Sequence, residues 1–496
     1  MPYPPDRLLA AVLFQIQRGR HSPAQWFVDA SENAPTRWLL GGLKPSRSCW
    51  YHFRDRLAPF VEDLLRQVLL QAIAAGISRA ELASLDGTSI AANASRRKLV
   101  NETVLGQRLT LLDQAVQADQ QPPAEPPPGL AADNTAFTPA PAAPAIPSPA
   151  PAPTPDPDQA SHADPAPPPA PQAQEAPPRP GWMAPTVRGR QRQQRRLRRA
   201  QKRMEQLQAR NSNKRSSKRS KRDKVLVSPS DPEAALGQDK DKVFRPLYNV
   251  QLVRDLDSPL LLSYEVFAQP NDAGLLAPML QKTEALSGRP LAAVLVDSAY
   301  AGGADLAAAA EEGVTVYASL PKESKQEGKK LSKSLFSYVA AEDVYVCPQG
   351  QRLEPKETSK EKRSSVELVV LQRYRCAAEH CRACPRQPEC TTSTERGRTI
   401  RRSEHEGLVD ALRQRMQTEA AQALYRLRGQ TVELANADVK EHRKLRRFSG
   451  RGLKRARCQI GLMVLAHNLL VVRQHQFNAS KDDDRDTDRN QCRTAG

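Results

Sequence analysis

The sequence predicts an α/β fold whose sheet is interrupted by a long low-complexity insertion, and three observations carry that reading. Between residues 241 and 321, strand-like and helix-like patterns alternate. Within that stretch LAAVLVDSAY, residues 291–300, is apolar up to Asp297 and leads into a turn-like AYAGG, as a buried strand ending on a carboxylate would. Upstream, ELASLDGTSIAANAS repeats the theme, with a short apolar run reaching Asp86 and a turn expected at Asp86–Gly87–Thr88. Burying a carboxylate is costly unless a cation, a metal or a helix N-terminus compensates it, so both aspartates call for a partner.

Residues 1–82 read as an N-terminal helical domain. Leu8, Leu9, Val12 and Leu13 recur at helical spacing, and LAPFVEDLLRQVLLQAIAAGI repeats the pattern with Gly76 as its stop. Between them Trp38, Trp50, Tyr51 and Phe53 interleave with Arg37, Lys44, Arg47, Arg54 and Arg56, which suits a nucleic-acid-binding face or a bundle core. Residues 83–116 begin the sheet domain. Residues 117–240 form an insertion expected to be largely disordered, because 22 of the chain's 42 prolines lie within 122–180 and such composition cannot pack a core. Its second half is basic. From Arg188 to Lys224 there are 17 Lys and Arg against Glu205 and Asp223, so most of the net charge of +19 sits in one segment suited to a polyanion. The first part of that segment could form a solvated helix.

The sheet domain resumes over 241–321. YNVQLVRD and LLLSYEVFA flank LDSP and predict a hairpin, and NDAGLLAPMLQKTEALSG predicts a helix with an Asn/Asp cap and a Gly stop. After the strand ending at Asp297 come a helix, ADLAAAAEEG, and another strand, VTVYASLP. A second insertion, 322–402, holds strand-like pieces and a cysteine cluster. Residues 403–477 read as helices that complete the domain, and 478–496 as a disordered tail. The last helix, around LKRARCQIGLMVLAHNLLVVRQ, is too short in its apolar run to span a membrane, and no run of 18 apolar residues occurs. The N-terminal LLAAVLF lacks a cleavage site and reads as core helix rather than signal peptide. A cytoplasmic location is expected.

Asp86, Asp297 and Glu433 are acids of three separate elements, a set that could hold two Mg²⁺ or Mn²⁺, since hard oxygen ligands suit those ions. Tyr425, Arg428 and Lys440 flank Glu433. Seven residues, two helical turns, separate Glu433 from Lys440 and predict that they share a face. Arg446, Arg447, Arg451, Lys454, Arg455 and Arg457 form a basic tract that reads as a solvated helix start or as a phosphate clamp. Of eight cysteines, five fall between Cys347 and Cys390. Cys376, Cys381, Cys384 and Cys390 have knuckle-like spacing, with Cys347 and His380 as further candidates. Zn²⁺ is favoured there over ordinary reduced thiols or a disulfide, which would need an oxidising compartment.

The chain resembles the DDE transposases of bacterial insertion sequences, in the branch with an interrupted ribonuclease-H-like domain and an inserted cysteine cluster. The motifs that carry the resemblance include RWLLGGLKPSRS, LDGTSIAANAS, DPEAALGQDKDKVFRPLYNVQL, VFAQPNDAGLLAPML, VLVDSAY, YRCAAEHCRACPRQPEC, YRLRGQTVELANADVK and RRFSGRGLKRARCQIGLMVLAHNLL. The resemblance implies a ribonuclease-H-like mixed sheet, a catalytic triad of Asp86, Asp297 and Glu433, and DNA contacts from Tyr425, Arg428 and Lys440. It further implies double-stranded DNA as partner, a nucleoid-associated protein, and at least a homodimer in the active complex. Two alternatives stay open: a metal-dependent nuclease that does not join strands, and a silent DNA-binding derivative. Three positions depart from the family pattern. Ser298–Ala299 replaces Ala-Gly after Asp297, so a left-handed backbone there would strain Ala299. Asn436–Ala437 replaces an aromatic followed by Gly, and Leu247 replaces the Gly before Tyr248.

Overall fold

In a computed structural model, residues 3–120, 179–214, 216–239, 241–320, 331–362, 368–391, 393 and 395–494 are described. Contacts divide the chain into a larger unit, Met1–Gln107 with Arg196–Gly496, and a smaller one, Arg108–Arg195. The proline-rich stretch expected to be disordered lies outside the described residues over 121–178.

The N-terminal segment is helical as expected: α1 (Pro5–Gln17), α2 (Pro23–Glu32), α3 (Ala34–Leu39), α4 (Arg47–Leu57) and α5 (Val61–Ala74). Local sequence starts these helices. Ser22 and Gln25 form a capping box at α2, and Ser46 caps α4. Of the two roles weighed for the aromatics, the bundle core is filled by Trp50 and not by Trp38. Trp50 is fully buried and meets Trp26 edge-on at 6.2 Å, whereas Trp38 is 81% exposed.

The main sheet is mixed. Its strands are β1 (Leu82–Ala91), β2 (Ala235–Gln238), β3 (Phe244–Asp255), β4 (Leu261–Phe267), β5 (Ala293–Val296) and β6 (Thr315–Ala318). β3 pairs antiparallel with β1 on one side and with β2 and β4 on the other, while β5 and β6 continue the sheet parallel to β1. Three antiparallel strands followed by two parallel ones is the order expected of a ribonuclease-H-like sheet. Helices α8 (Leu276–Ser287) and α9 (Gly303–Glu311) make the connections to β5 and β6. The α8 stop is as expected, at Gly288 with φ 77°, but its start is not: Leu275 is the cap residue and no side chain caps it.

Three boundaries differ from the sequence reading. The strand carrying Asp86 does not turn there but runs on to Ala91; a Cβ on Gly87 would overlap the Asp272 carboxylate and Gln251 amide, so this glycine serves close approach. The insertion expected to be largely disordered is ordered in its basic part, as α7 (Val187–Ser212), and the sheet resumes at β2 rather than after residue 240. α7 is a helix because Leu197, Ala200 and Met204, at helical spacing, form a buried stripe. It meets α6 (Glu102–Ala118) through Gln208–Glu102 at 3.3 Å in the larger unit. In the smaller unit, Arg190 pairs with Asp119 and Gln194 with Asp113 at 2.6 Å. The tail expected to be disordered from 478 continues as helix, since α15 spans Leu453–Thr494. Once its buried half is nucleated, each further residue adds a hydrogen bond at little extra cost.

The second insertion forms its own antiparallel sheet, in the order β11-β10-β9-β8-β7. Its strands are β7 (Ser337–Val339), β8 (Val344–Val346), β9 (Arg352–Lys362), β10 (Leu368–Cys376) and β11 (Thr399–Ser403), with α10 (Ala378–Arg382) and α11 (Gln387–Cys390) at one end. α12 (Glu406–Arg415), α13 (Glu419–Gln430) and α14 (Val432–Ala437) then lead to α15, whose Ile460, Leu462, Met463 and Val464 are buried in the main core.

Two polar details lock α15 onto the sheet. Asn468 donates to the Leu261 carbonyl at 2.9 Å and accepts from its N–H at 3.0 Å, satisfying the backbone of β4 as another strand would. Gly461 lies against Tyr264 and Val61, both of which a Cβ would overlap. Gly461→Ala is therefore expected to lower stability by about 1–3 kcal/mol through overpacking, read by denaturant unfolding. Wild-type stability in that variant would mean that the crossing is looser than described.

Candidate active site

Asp86 and Asp297 come from neighbouring parallel strands. β1 pairs with β5 from Leu82 opposite Ala293 to Ser84 opposite Leu295. Carried two residues further, that register sets Asp86 beside Asp297. Burial raises the Asp86 pKa above the usual carboxylate range, Arg428 lowers it, and the charge of Asp297 raises it again. Asp297 also fills the capping role weighed from the sequence, accepting from the Ala299 N–H at 2.8 Å at the start of a 3-10 turn, Ser298–Tyr300. Ala299 is not among the residues with left-handed backbone, so the strain expected from the missing glycine does not arise.

Glu433 reaches this place through an elbow at Thr431. The Thr431 hydroxyl shares a 2.8 Å hydrogen bond with Ser84 on β1, two residues from Asp86, and Arg254 of β3 donates to the Thr431 carbonyl at 2.7 Å. α13 and α14 are thereby held on the sheet face that carries Asp86. From the last turn of α13, Arg428 donates to Asp86 Oδ1 and to Glu433 Oε1, each at 2.9 Å. Asn436 of α14 donates to Asp86 Oδ2 at 2.8 Å. The position read as a departure from the family pattern thus supplies a partner to the buried aspartate. Tyr425 lies one turn before Arg428, half-buried. The two-turn argument for Lys440 fails, because α14 ends at Ala437 and a π-turn, Asp438–His442, follows.

Sequence reasoning missed a polar group beneath the acids. Asn249 and Gln251, alternate residues of β3, each donate to Asp272 Oδ1 at 2.7 Å. The buried Tyr300 hydroxyl donates to Gln251 Oε1. Burial first, then the charges of Asp272, Asp86 and Asp297, raise the Tyr300 pKa, which keeps it a neutral donor. The period-2 spacing of Asn249 and Gln251 in an otherwise apolar strand was the available signal. Asp272 was hidden by its resemblance to a helix cap.

The donor set has the chemistry a hard divalent cation takes, with two neighbouring carboxylates and a third linked to Asp86 through Arg428. As arranged, Arg428 stands between Asp86 and Glu433, and among the described residues no three His, Cys, Asp or Glu side chains converge closely enough to hold a metal ion. The same holds for the thiols. Cys347, Cys376, Cys381, Cys384 and Cys390, with His380, line one cavity of about 30 Å³, room for a single water or ion. All of these cysteines are free. Backbone N–H groups of Gln351 and Arg398 donate to Cys347 Sγ and Cys381 Sγ at 3.3 and 3.4 Å.

The basic tract is largely committed to structure. Arg446 pairs with Glu441, Arg455 with Asp55 and Arg457 with Glu265. Arg447 donates to the carbonyls of Ala92 and Ala94, and Arg451 to that of Asn93. Lys454 is exposed.

The raised pKa of Asp86 has a signed consequence. The folded chain binds this proton more tightly than the unfolded chain, so stability from Asp86 is present at low pH and is lost as pH rises through its folded pKa. Asp297→Asn removes one of the raising charges, so Asp86 should titrate at lower pH in that variant, read by carboxyl ¹³C NMR. An unmoved titration would separate the two aspartates.

No curated protein and no solved structure matches the chain. Residues 346–473 match a family model described as Transposase DDE domain. The match takes in most of the second sheet, the thiol cavity, the Thr431 elbow with Glu433, and the buried half of α15, and it leaves Asp86 and Asp297 outside. Joined to a mixed α/β sheet of nuclease type, it supports a DDE transposase, with a transposase-type nuclease function and DNA as substrate.

Proposed function

We propose that the protein cleaves DNA at the ends of a mobile element and transfers the freed ends to target DNA, with Asp86, Asp297 and Glu433 holding Mg²⁺ or Mn²⁺. The observation that carries this reading is that Arg428 joins Asp86 to Glu433 inside the matched domain, while Asp297, at the end of the strand parallel to β1, lies close enough for its charge to act on Asp86. When bound, two such cations supply charge stabilisation to the attacking and leaving oxygens of an in-line displacement. Water adds to phosphorus as the P–O3′ bond breaks, leaving a 3′-hydroxyl on the element and a 5′-phosphate on the flank. The 3′-hydroxyl then attacks a target phosphodiester, forming one P–O bond and releasing a target 3′-hydroxyl.

The chain's own residues position this chemistry. Arg428, once released from the carboxylates, offers a planar guanidinium to phosphate, and Tyr425 and Lys440 contact the DNA beside it. Asn436 keeps Asp86 oriented while Arg428 changes partner. In the basic tract, Lys454 and Arg451 contact phosphate, and Arg446, Arg447 and Arg455 act chiefly by holding the surrounding backbone and helices. Bringing two element ends together calls for at least two protomers in the active complex.

With DNA carrying the element's terminal repeats and Mg²⁺, Asp297→Ala, Asp86→Asn and Glu433→Gln should each reduce cleavage by about 10²-fold or more, and EDTA should abolish it. Cleavage unchanged by Asp297→Ala would sink the assignment. Cut but unjoined products would make the protein a nuclease. Binding that ignores EDTA, with no cleavage under any condition, would make it a silent DNA-binding protein.

We propose also that the thiol cavity takes one Zn²⁺ through a set drawn from Cys376, Cys381, Cys384, Cys390 and Cys347, after small side-chain rotations. Support comes from five thiols around an ion-sized cavity and from the N–H donors aimed at two of the sulfurs. Elemental analysis should find about one zinc per chain, lowered by Cys381→Ser, and chelation should destabilise the second sheet. A metal-free protein with that sheet intact would refute the site.

A further inference from the structure

The insertion helix α7 has two faces. Its apolar stripe of Leu197, Ala200 and Met204 is buried, and beside it Arg196, Arg199 and Arg203 follow at helical spacing, with Lys202 adjacent. This basic face lines a groove of about 620 Å³ in the larger unit, whose opposite wall is the start of α15 with Arg451 and Arg455. The groove also contains Asp231 and Glu233, each bonded through one oxygen to the head of α15, and Asp231 Oδ2 is buried without a hydrogen-bond partner. Asp231 accepts from the Gly452 N–H at 3.1 Å and from the Tyr248 hydroxyl at 2.8 Å. Glu233 accepts from the Leu453 N–H at 2.5 Å and offsets part of the charge at Arg203. Among the described residues no acid pairs with Arg196, Arg199 or Lys202. The Nε atoms of Arg196 and Arg203 are buried without a hydrogen-bond partner.

Crowded guanidiniums with buried, unsatisfied donors are costly unless an anion compensates them. Burial, then the charges of Arg451 and Arg199, act against the charged form of Arg196, which is the same repulsion seen from one residue. From Arg196 to Arg203 the basic stripe is roughly 10 Å long, about the axial rise of three base pairs. An extended chain of phosphates fits this shape better than a single small anion.

We infer that the groove between α7 and the start of α15 is a second DNA site, which grips the phosphate backbone of double-stranded DNA away from the reacting phosphodiester. The choice of duplex DNA as occupant rests on the transposase reading. The groove contacts phosphates and carries no base readout of its own, so its contribution is independent of sequence and strongly dependent on salt. The backbone pairing of β1 links the two sites: Ile90, opposite Tyr248 beneath the groove, is four residues along β1 from Asp86, about 13 Å. A duplex lying across that strand could touch both.

The test is equilibrium binding of a short duplex of arbitrary sequence in EDTA over a range of salt, so that no cleavage enters the readout. Substituting Arg199→Gln, Lys202→Gln and Arg203→Gln together should reduce the slope of log K against log salt by about 2 to 3, at roughly 0.9 for each phosphate no longer neutralised. The exposed pair Arg199→Gln with Lys202→Gln, which leaves the half-buried Arg203 in place, should reduce it by about 1 to 2 with an unchanged melting curve. A control with equal charge loss on β9, Arg352→Gln with Lys356→Gln and Lys360→Gln, should leave the slope as in the parent. An unchanged slope in the groove variants, or an equal fall in the control, would overturn the site. Because the readout is binding, failure of the transposase reading shows separately, as cleavage that persists in Asp297→Ala.

Discussion

A carboxylate on the central strand of a packed sheet loses much of its water, and the surroundings of Asp86 are organised by the need to compensate it. β1 can carry Asp86 there because β3 pairs with it through Asp86 opposite Leu252, while β5 pairs with the start of the strand as far as Ser84. The side chain is then held by Arg428 and Asn436, which arrive from α13 and α14 and must be set down on the sheet at the correct height. The Thr431 elbow does this by bonding to Ser84 and receiving Arg254. Remove the carboxylate, and those helices lose the polar anchor that orients them.

The same arrangement couples the acids to one another. Arg428 pairs with Asp86 and Glu433 together, so one guanidinium serves two acids from different elements. Asp297 adds to the negative charge, which raises the Asp86 pKa. Beneath, Asp272, Asn249, Gln251 and Tyr300 form one hydrogen-bonded network that keeps the floor polar and orientated.

Both insertions are built into the structure and do more than lengthen the chain. α7 contributes a buried apolar stripe on one side and a basic wall on the other, and β2 extends the main sheet from the same insertion. The second insertion closes its own small core, with Phe336, Tyr345, Leu353 and Tyr374 packed near the thiols. A core that small gains much from a cross-link or ion at its end.

The order of strands and helices from Tyr248 to Ala318 was legible in the sequence because each element carries a local signature: apolar runs, a Gly stop at Gly288, turn residues between β3 and β4. The candidate acids were legible as chemistry, and the resemblance selected them from 55. What could not be read was everything set by a partner distant in the chain. Asp86 looked like a turn because Gly87 follows it, and only the Asp272 side chain across the sheet shows why that glycine is in a strand. Asn436 looked like a defect because its partner is 350 residues away. The basic tract looked available for phosphate, yet most of its guanidiniums are taken by Glu441, Asp55, Glu265 and backbone carbonyls. Charge pattern and periodicity report local preference, which the sequence alone determines. Which charge is left without a partner depends on long-range packing, and only the tertiary structure decides that.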